Sequence, residues 1–263
     1  MKRLTLLATA FSLCACTVGP DFRRPEAPTP GAWRHLPELW KPAQPADALP
    51  RGDWWALFDD PELHALAARA VRANQTLIAA EARHRQAQAV ARQARAALFP
   101  TLDAGLSAGR SRAPGATATT RTQQLDVGAT WEADLWGRLG RAIEQNAALA
   151  QASLADLESA RLSIAASVAQ NLFALRVADA QAKLLGDTIA GYAQSLKLTQ
   201  NRYAAGVAAK TDVVQAETQL KAAQAQLADL ALQRAQLVNA IAVLAGEPPA
   251  ALSLAQAPLP PVP

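Results

Sequence analysis

"TLDAGLSAG" at residues 101–109 and "QLDVGATWEADLW" at 124–136 share a period of two. In the first, Leu102, Ala104, Leu106 and Ala108 alternate with Asp103, Gly105, Ser107 and Gly109. In the second, Leu125, Val127, Ala129, Trp131 and Ala133 alternate with Asp126, Gly128, Thr130, Glu132 and Asp134. One apolar and one polar face at this period is the signature of a strand, and each run has about the 9–11 residues that a tilted membrane strand needs. The pattern predicts strands over 101–111 and 123–135, joined by the polar, turn-bearing "RSRAPGATATTR" of 110–121. A soluble hairpin with one buried face would alternate in the same way, so the aromatic residues decide. Phe99 stands just before the first strand, and Trp131 and Trp136 stand at the end of the second. An antiparallel pair brings those ends to one level, where flat amphipathic rings suit a lipid headgroup layer. On this reading Leu102, Leu106, Leu125, Val127 and Trp131 face lipid. Asp103, Ser107, Asp126, Thr130 and Glu132 face the lumen of a barrel.

Outward from the hairpin the period changes to helical. Asp60-Pro61 is a capping residue with proline at the first helical position, and Leu63, Leu66, Ala67, Ala70 and Val71 follow on one face. The expected helices cover about 61–73 and 75–98, with Asn74 between them and Phe99-Pro100 as the stop. Beyond the hairpin, 137–203 contains no proline and repeats apolar residues at Ile164, Val168, Leu172 and Leu175, then at Leu185, Ile189, Tyr192, Leu196 and Tyr203. Gly206 interrupts it, and Thr211 or Asp212 can cap a last helix over about 211–245. That helix carries a seam of Leu220, Ala223, Leu227, Leu230, Arg234, Leu237, Ile241 and Leu244, in which only Arg234 is out of character. Spacings of three and four sustained this long predict helix-on-helix packing. At about 1.5 Å per residue the 137–203 helix would be about 100 Å long, and the 75–98 and 211–245 helices, about 36 and 52 Å, would lie end to end beside it. Abundant alanine lets such axes approach closely. The fold class is therefore mainly α with a transmembrane β-hairpin: long antiparallel coiled helices forming a stave of an α-barrel, plus two strands of an oligomeric β-barrel.

The N-terminus reads as a separate device. Lys2 and Arg3 precede an apolar run from Leu4 to Leu13, too short to span a bilayer, and "LCAC" at 13–16 ends it. The four residues resemble the lipobox of bacterial lipoproteins, with Leu13 at −3, Cys14 at −2, Ala15 at −1 and Cys16 as the acylated residue. Cutting before Cys14 would put bulky Leu13 at the cleavage position, and a disulfide between two cysteines one residue apart is geometrically poor. Residues 1–15 are thus expected to leave as a signal peptide. Residues 16–52, rich in proline, are expected to form a lipid-anchored tether ahead of the 53–263 repeat.

Composition excludes several classes. The chain has 26 Lys and Arg against 22 Asp and Glu, so losing Lys2 and Arg3 with the leader brings it close to balance and leaves no case for nucleic-acid binding. His35, His64 and His84 have no metal-ligand spacing. No phosphate loop, nucleophile elbow or paired catalytic carboxylate is present, and neither an enzymatic activity nor a cofactor is expected beyond covalent lipid on Cys16. Trp54-Trp55 could offer a carbohydrate platform, but packing about the first helix is the ordinary role of such aromatics.

Six segments in order, "CTVGPDFRRP", "DWWALFDDPELHALAARAVRANQTLIAAEAR", "LFPTLDAG", "WEADLWGRLGRAIE", "RYAAGVAAKTDVVQAETQL" and "IAVLAGEPP", resemble the TolC-like outer-membrane efflux ducts, in the lipoprotein branch that serves RND-type multidrug pumps. The resemblance covers essentially all of the chain after Cys16. It implies a trimeric passive duct for drugs or other small molecules in a Gram-negative outer membrane, extending into the periplasm and fed by an inner-membrane pump through a periplasmic adaptor. Thr17 after the cysteine favours outer-membrane sorting. The turn Gly206, Val207, Ala208 with Thr211 and Asp212 matches the family's adaptor-contacting periplasmic tip. One departure stands out, since family protomers carry two such repeats and this sequence carries one, to Pro263. Two strands cannot close a barrel, so six copies, a second polypeptide or a longer parent chain is expected to complete it, with the gate residues in the missing repeat. The alternatives are a truncated scaffold lipoprotein without transport and, less in keeping with the hairpin, a periplasmic adaptor subunit.

Overall fold

The computed structural model describes residues 18–23, 25–26, 52–112, 114–115 and 117–258. The expected leader 1–15, Cys16 and most of the tether lie outside the described residues. In chain order the elements are α1 (Pro61–Ala73), α2 (Gln75–Ala96), β1 (Thr101–Ser111), β2 (Thr120–Thr130), α3 (Arg138–Ala204) and α4 (Lys210–Leu244), with short 3-10 turns at Trp54–Phe58 and Pro249–Ala251. The fold is mainly helical, with long antiparallel helices and one two-stranded hairpin. Contacts divide the chain into two units, one of Met1–Ala46 with Ala82–Ala155 and one of Asp47–Glu81 with Asp156–Pro263.

The second unit holds the core. Trp55, Leu63, Leu66, Ala67 and Ala70 pack with Ala165, Val168, Ala169, Leu172 and Leu175 of α3, and with Ile241 and Leu254. These are the α1 and first α3 faces that the helical spacing predicts. Every seam position of α4 is buried or half-buried, Arg234 included. The second apolar run of α3 behaves differently: Leu185, Ile189 and Leu196 are half-buried, whereas Tyr192 and Tyr203 are exposed. Among the described residues this stretch of α3 meets α4, as at Tyr203 and Lys210, and one narrow stripe of each helix is covered.

Three polar devices set the register of these alanine-rich helices. Asp60, the N-cap of α1, accepts from the backbone N–H groups of Glu62 and Leu63 at 3.0 and 3.1 Å and is forked by the Arg176 guanidinium, which also reaches Glu62 at 3.1 Å. Both Asp60 and Arg176 are buried. Burial alone pushes the Asp60 carboxyl upward, but the Arg176 hydrogen bond and charge and the two N–H groups together hold it below its ordinary value. The stability it contributes is therefore complete above the ordinary aspartate range and is lost as pH falls through that lowered value. One turn along α3, buried Asp179 takes Arg234 at 2.7 Å, and Arg234 also donates to the Leu254 carbonyl at 2.8 Å. This accounts for a charged residue in the α4 seam. Asn74 is the third device. Its Oδ1 accepts from Thr76 and Leu77 and so caps α2, while its Nδ2 donates to the Leu244 carbonyl at the end of α4 at 2.9 Å.

That helix end admits only glycine at 246. Gly246 has φ +74°, its N–H and that of Glu247 close back on Val243 and Ala242, and a Cβ there would run into the Ala73 carbonyl. Arg69 and Glu247 form an ion pair beside it.

Arg176→Ala would leave Asp60 buried without its counter-charge, a change that costs about 3–5 kcal/mol. Urea unfolding followed by tryptophan fluorescence should show that loss, with part of it recovered in the Asp60→Ala/Arg176→Ala double variant. An Arg176→Ala variant with unchanged stability would contradict this role.

Candidate functional site

The first unit carries the hairpin. β1 and β2 pair antiparallel from Thr101↔Thr130 to Ser111↔Thr120. Directly opposed residues share a face, so Leu102, Ala104 and Leu106 of β1 lie beside Ala129, Val127 and Leu125 of β2. Asp103, Gly105 and Ser107 lie opposite Gly128, Asp126 and Gln124 on the other face, and Thr130 pairs with Thr101 there. The pattern thus yields one continuous apolar face and one polar face. Both are exposed, with Leu102, Leu106, Leu125 and Val127 each more than two-thirds accessible. Among the described residues no third strand pairs with the ribbon.

β2 begins at Thr120 and ends at Thr130, whereas alternation predicts 123–135. Pairing stops there because the residue of the partner strand beyond Thr101 is Pro100, which has no N–H to offer. Trp131 and Glu132 consequently lie past the ladder and belong to neither strand face. The Trp131 indole N–H donates to the Leu98 carbonyl at 3.1 Å, fastening the start of β1 to the end of β2. Glu132 is forked by Arg138 at 2.8 Å. Phe99, Trp131, Leu135 and Trp136 are all more than half exposed around this junction.

The junction also builds the start of α3. Gly137 has φ +76°, and Asp134 accepts from the N–H groups of Leu139 and Gly140 at 3.0 and 2.8 Å. Desolvation raises the Asp134 pKa, but hydrogen bonds from the N–H groups of Gly140, Leu139 and Arg138 outweigh it and hold the carboxyl below its ordinary value. Arg141, one turn on, reaches the chain near Val18: it donates to the Val18 and Gly19 carbonyls at 2.9 and 3.2 Å and to Asp21 at 2.7 Å. The Arg141 contacts with Val18, Gly19 and Asp21 are not legible from spacing, because they join residues more than a hundred positions apart.

At the far end of the second unit, α3 closes in a paired turn. Gly206, at φ +75°, donates to the Tyr203 carbonyl at 2.9 Å and Val207 donates to Arg202 at 2.9 Å. α4 then starts at Lys210, so Thr211 and Asp212 are inside the helix, not ahead of it. Asp212 still caps, from within: its Oδ2 accepts from the Ala209 N–H at 3.0 Å. The Lys210 ammonium stands 5.5 Å from the Tyr203 ring centroid and ties the two helix ends together. Gly206 and Val207 are exposed and Ala208 is half-buried.

Trp55 is buried and stands edge-on to Trp54, which in turn contacts Phe58, so these rings are packing residues about α1. His84 bonds Ser153 and Gln88 at 2.9 and 2.8 Å. Among the described residues no group of His, Cys, Asp or Glu could hold a metal ion. α4 is long and apolar enough to cross a membrane by length and composition alone. Its seam, with the Arg234–Asp179 pair, packs on α3 instead.

Residues 66–247 match the model of a family described as outer membrane efflux protein. The chain is 32% identical over 251 residues to the probable efflux pump outer membrane protein TtgC of Pseudomonas putida, covering 92% of this chain and 52% of that one. It is 32% identical over 271 residues to the pyoverdine export outer membrane protein OpmQ of Pseudomonas aeruginosa, covering 98% and 56%. Among solved structures, the outer-membrane channel OprN superposes with TM-score 0.75 at 31% identity, covering 94% of this chain and 56% of that one. VceC of Vibrio cholerae superposes with TM-score 0.69 at 26% identity, covering 77% and 51%. The chain spans about half the length of the relatives it matches.

The turn predicts its own sensitivity. Gly206→Ala forces a side chain into a left-handed conformation at a cost of about 1 kcal/mol. Amide exchange at residues 205–213 should quicken several-fold while exchange in the α1 core is unchanged; equal protection in both forms would contradict the role assigned to Gly206.

Proposed function

Because the chain belongs to the outer membrane efflux protein family, we propose that it supplies the wall of a passive outer-membrane duct, through which an inner-membrane RND-type pump and a periplasmic adaptor export small molecules. The observation that carries this reading is the exposed two-faced hairpin joined directly to long antiparallel helices. Its apolar face of Leu102, Leu106, Leu125 and Val127 suits lipid, and its polar face of Asp103, Ser107, Asp126 and Thr130 suits a wet lumen. Trp131 and Trp136 mark the level at which the ribbon leaves the bilayer. The helices continue as the periplasmic conduit, and the turn at Gly206, Val207, Ala208, Thr211 and Asp212 is the contact for the adaptor. Cys16 carries the lipid that anchors the N-terminus once residues 1–15 are removed.

A ribbon of two strands needs neighbours on both edges, so the duct is an oligomer. Further strands come from more copies of this repeat or from a second repeat of the kind its relatives' length allows. No catalytic step is involved: the family consists of channels, and choice of cargo rests with the pump.

Two measurements test this reading. Val127→Arg should abolish outer-membrane assembly, since a charge on the lipid face costs about 2–4 kcal/mol near the midplane; unimpaired insertion would remove Val127 from the lipid face. Expression of the chain in a duct-deleted host that keeps its adaptor and pump should restore antibiotic resistance. Assembly without any gain in resistance would point instead to a scaffold lipoprotein.

A further inference from the structure

The apolar face of the hairpin does not run to its tip. Beyond Leu106 and Leu125 it continues through Ala108, opposite Gln123, and ends in Arg110 directly opposite Arg121. Alternation keeps both arginines on the face that carries Leu102, Leu106, Leu125 and Val127. Like charges directly across an antiparallel pair repel, so this position of the ladder is unfavourable as it stands. A third guanidinium is held at the same end, where Arg112 donates to the Thr117 carbonyl at 2.6 Å. No Asp or Glu occurs between residues 104 and 125. Along the strands the nearest acids, Asp103 and Asp126, lie on the opposite face and five or more residues away. A neighbouring copy of the ribbon set at the same height would bring no acid to this level either.

The height of the pair says where its missing anion lies. Nine residues separate Arg121 from Thr130, which adjoins Trp131 at the other end of the ribbon. At about 3.3 Å each they cover about 30 Å of strand, and at a barrel tilt of about 40° they climb about 23 Å. That is close to the full height of the apolar band of a membrane barrel. An arginine on a lipid face is costly at the midplane and close to neutral at the margin, where the headgroups begin.

We propose that Arg110 and Arg121 form a clamp for the phosphate of an anionic lipid headgroup in the outer leaflet. The proposal rests on the reading of the hairpin as a bilayer-spanning ribbon with its tip on the outside. Planar guanidinium forks bind phosphate oxygens bidentately, and the negative charge between them removes the repulsion of the two arginines. The pair is favourable only with the lipid in place, and the bound headgroup fixes the height of the ribbon in the membrane.

The test follows lipid A, a phosphorylated glycolipid, on the full chain assembled in phosphatidylcholine vesicles that contain it. The protein is extracted in mild detergent, and the lipid A retained per chain is measured by mass spectrometry as the lipid A content is varied. Apparent affinity should fall about tenfold for each arginine removed in Arg110→Gln and Arg121→Gln. Arg110→Lys/Arg121→Lys should fall by less, because it keeps the charge and loses the forks. Arg138→Gln, at the other margin, should keep the original affinity. Dephosphorylated lipid A should not be retained, and millimolar inorganic phosphate should not displace lipid A. Undiminished retention in Arg110→Gln/Arg121→Gln, or equal retention of the dephosphorylated lipid, overturns the clamp and leaves the membrane reading standing. Displacement by inorganic phosphate makes the site one for a free anion and overturns the lipid assignment. An unsubstituted chain that fails to band with outer membranes on a density gradient overturns the membrane reading and this proposal with it.

Discussion

The hairpin has two open edges, and the rest of the account follows from them. β1 and β2 satisfy each other's inward-facing backbone groups, but the outward-facing N–H and C=O groups of both strands have no partner among the described residues. In water such a ribbon is marginal. In hydrocarbon it is untenable, because each unsatisfied group costs several kcal/mol. A ribbon whose side chains are sorted into an apolar and a polar face therefore calls for further strands on both sides. The membership of the chain in a family of outer-membrane channels gives that requirement its setting.

The helical core of the second unit is built on a different principle. Helices this rich in alanine offer little shape to lock one against the next, and the structure supplies the register with buried polar contacts instead. Arg176 joins α3 to the cap of α1, Arg234 joins α4 to Asp179 of α3, and Asn74 joins the start of α2 to the end of α4. Each joins helices at a defined step, and each is costly to break because a buried partner would be left without its counterpart. Such contacts trade some stability for a unique alignment of one helix on the next.

Much of this was legible in the residues. The two strand faces, the α1 face from Leu63 to Ala70, the eight-position seam of α4 and the glycine turn at 206 all follow from period and from cap chemistry, which are local. What escaped was non-local. The end of β2 at Thr130 is set by Pro100 on the partner strand, so alternation alone runs on to 135 and carries Trp131 and Glu132 with it. Arg234 was visible as an oddity in its seam, but nothing nearby in sequence could name Asp179. Asp212 was correctly a capping residue and wrongly placed, because a carboxylate reaches back to the helix start as readily as it sits there. Tyr192 and Tyr203 keep helical spacing, yet both are exposed among the described residues. The grip of Arg141 on Val18–Asp21 spans too much chain for any spacing rule.

The central claim is that the two faces of the hairpin meet lipid and water respectively, and one measurement addresses it directly. Cysteine is substituted in turn at positions 124 to 129, labelled with an environment-sensitive fluorophore, and the assembled protein is placed in bilayers of brominated lipid. The account predicts strong quenching at 125, 127 and 129 and weak quenching at 124, 126 and 128. Uniform quenching would contradict the two-faced reading, and none at any position would return the hairpin to an aqueous setting.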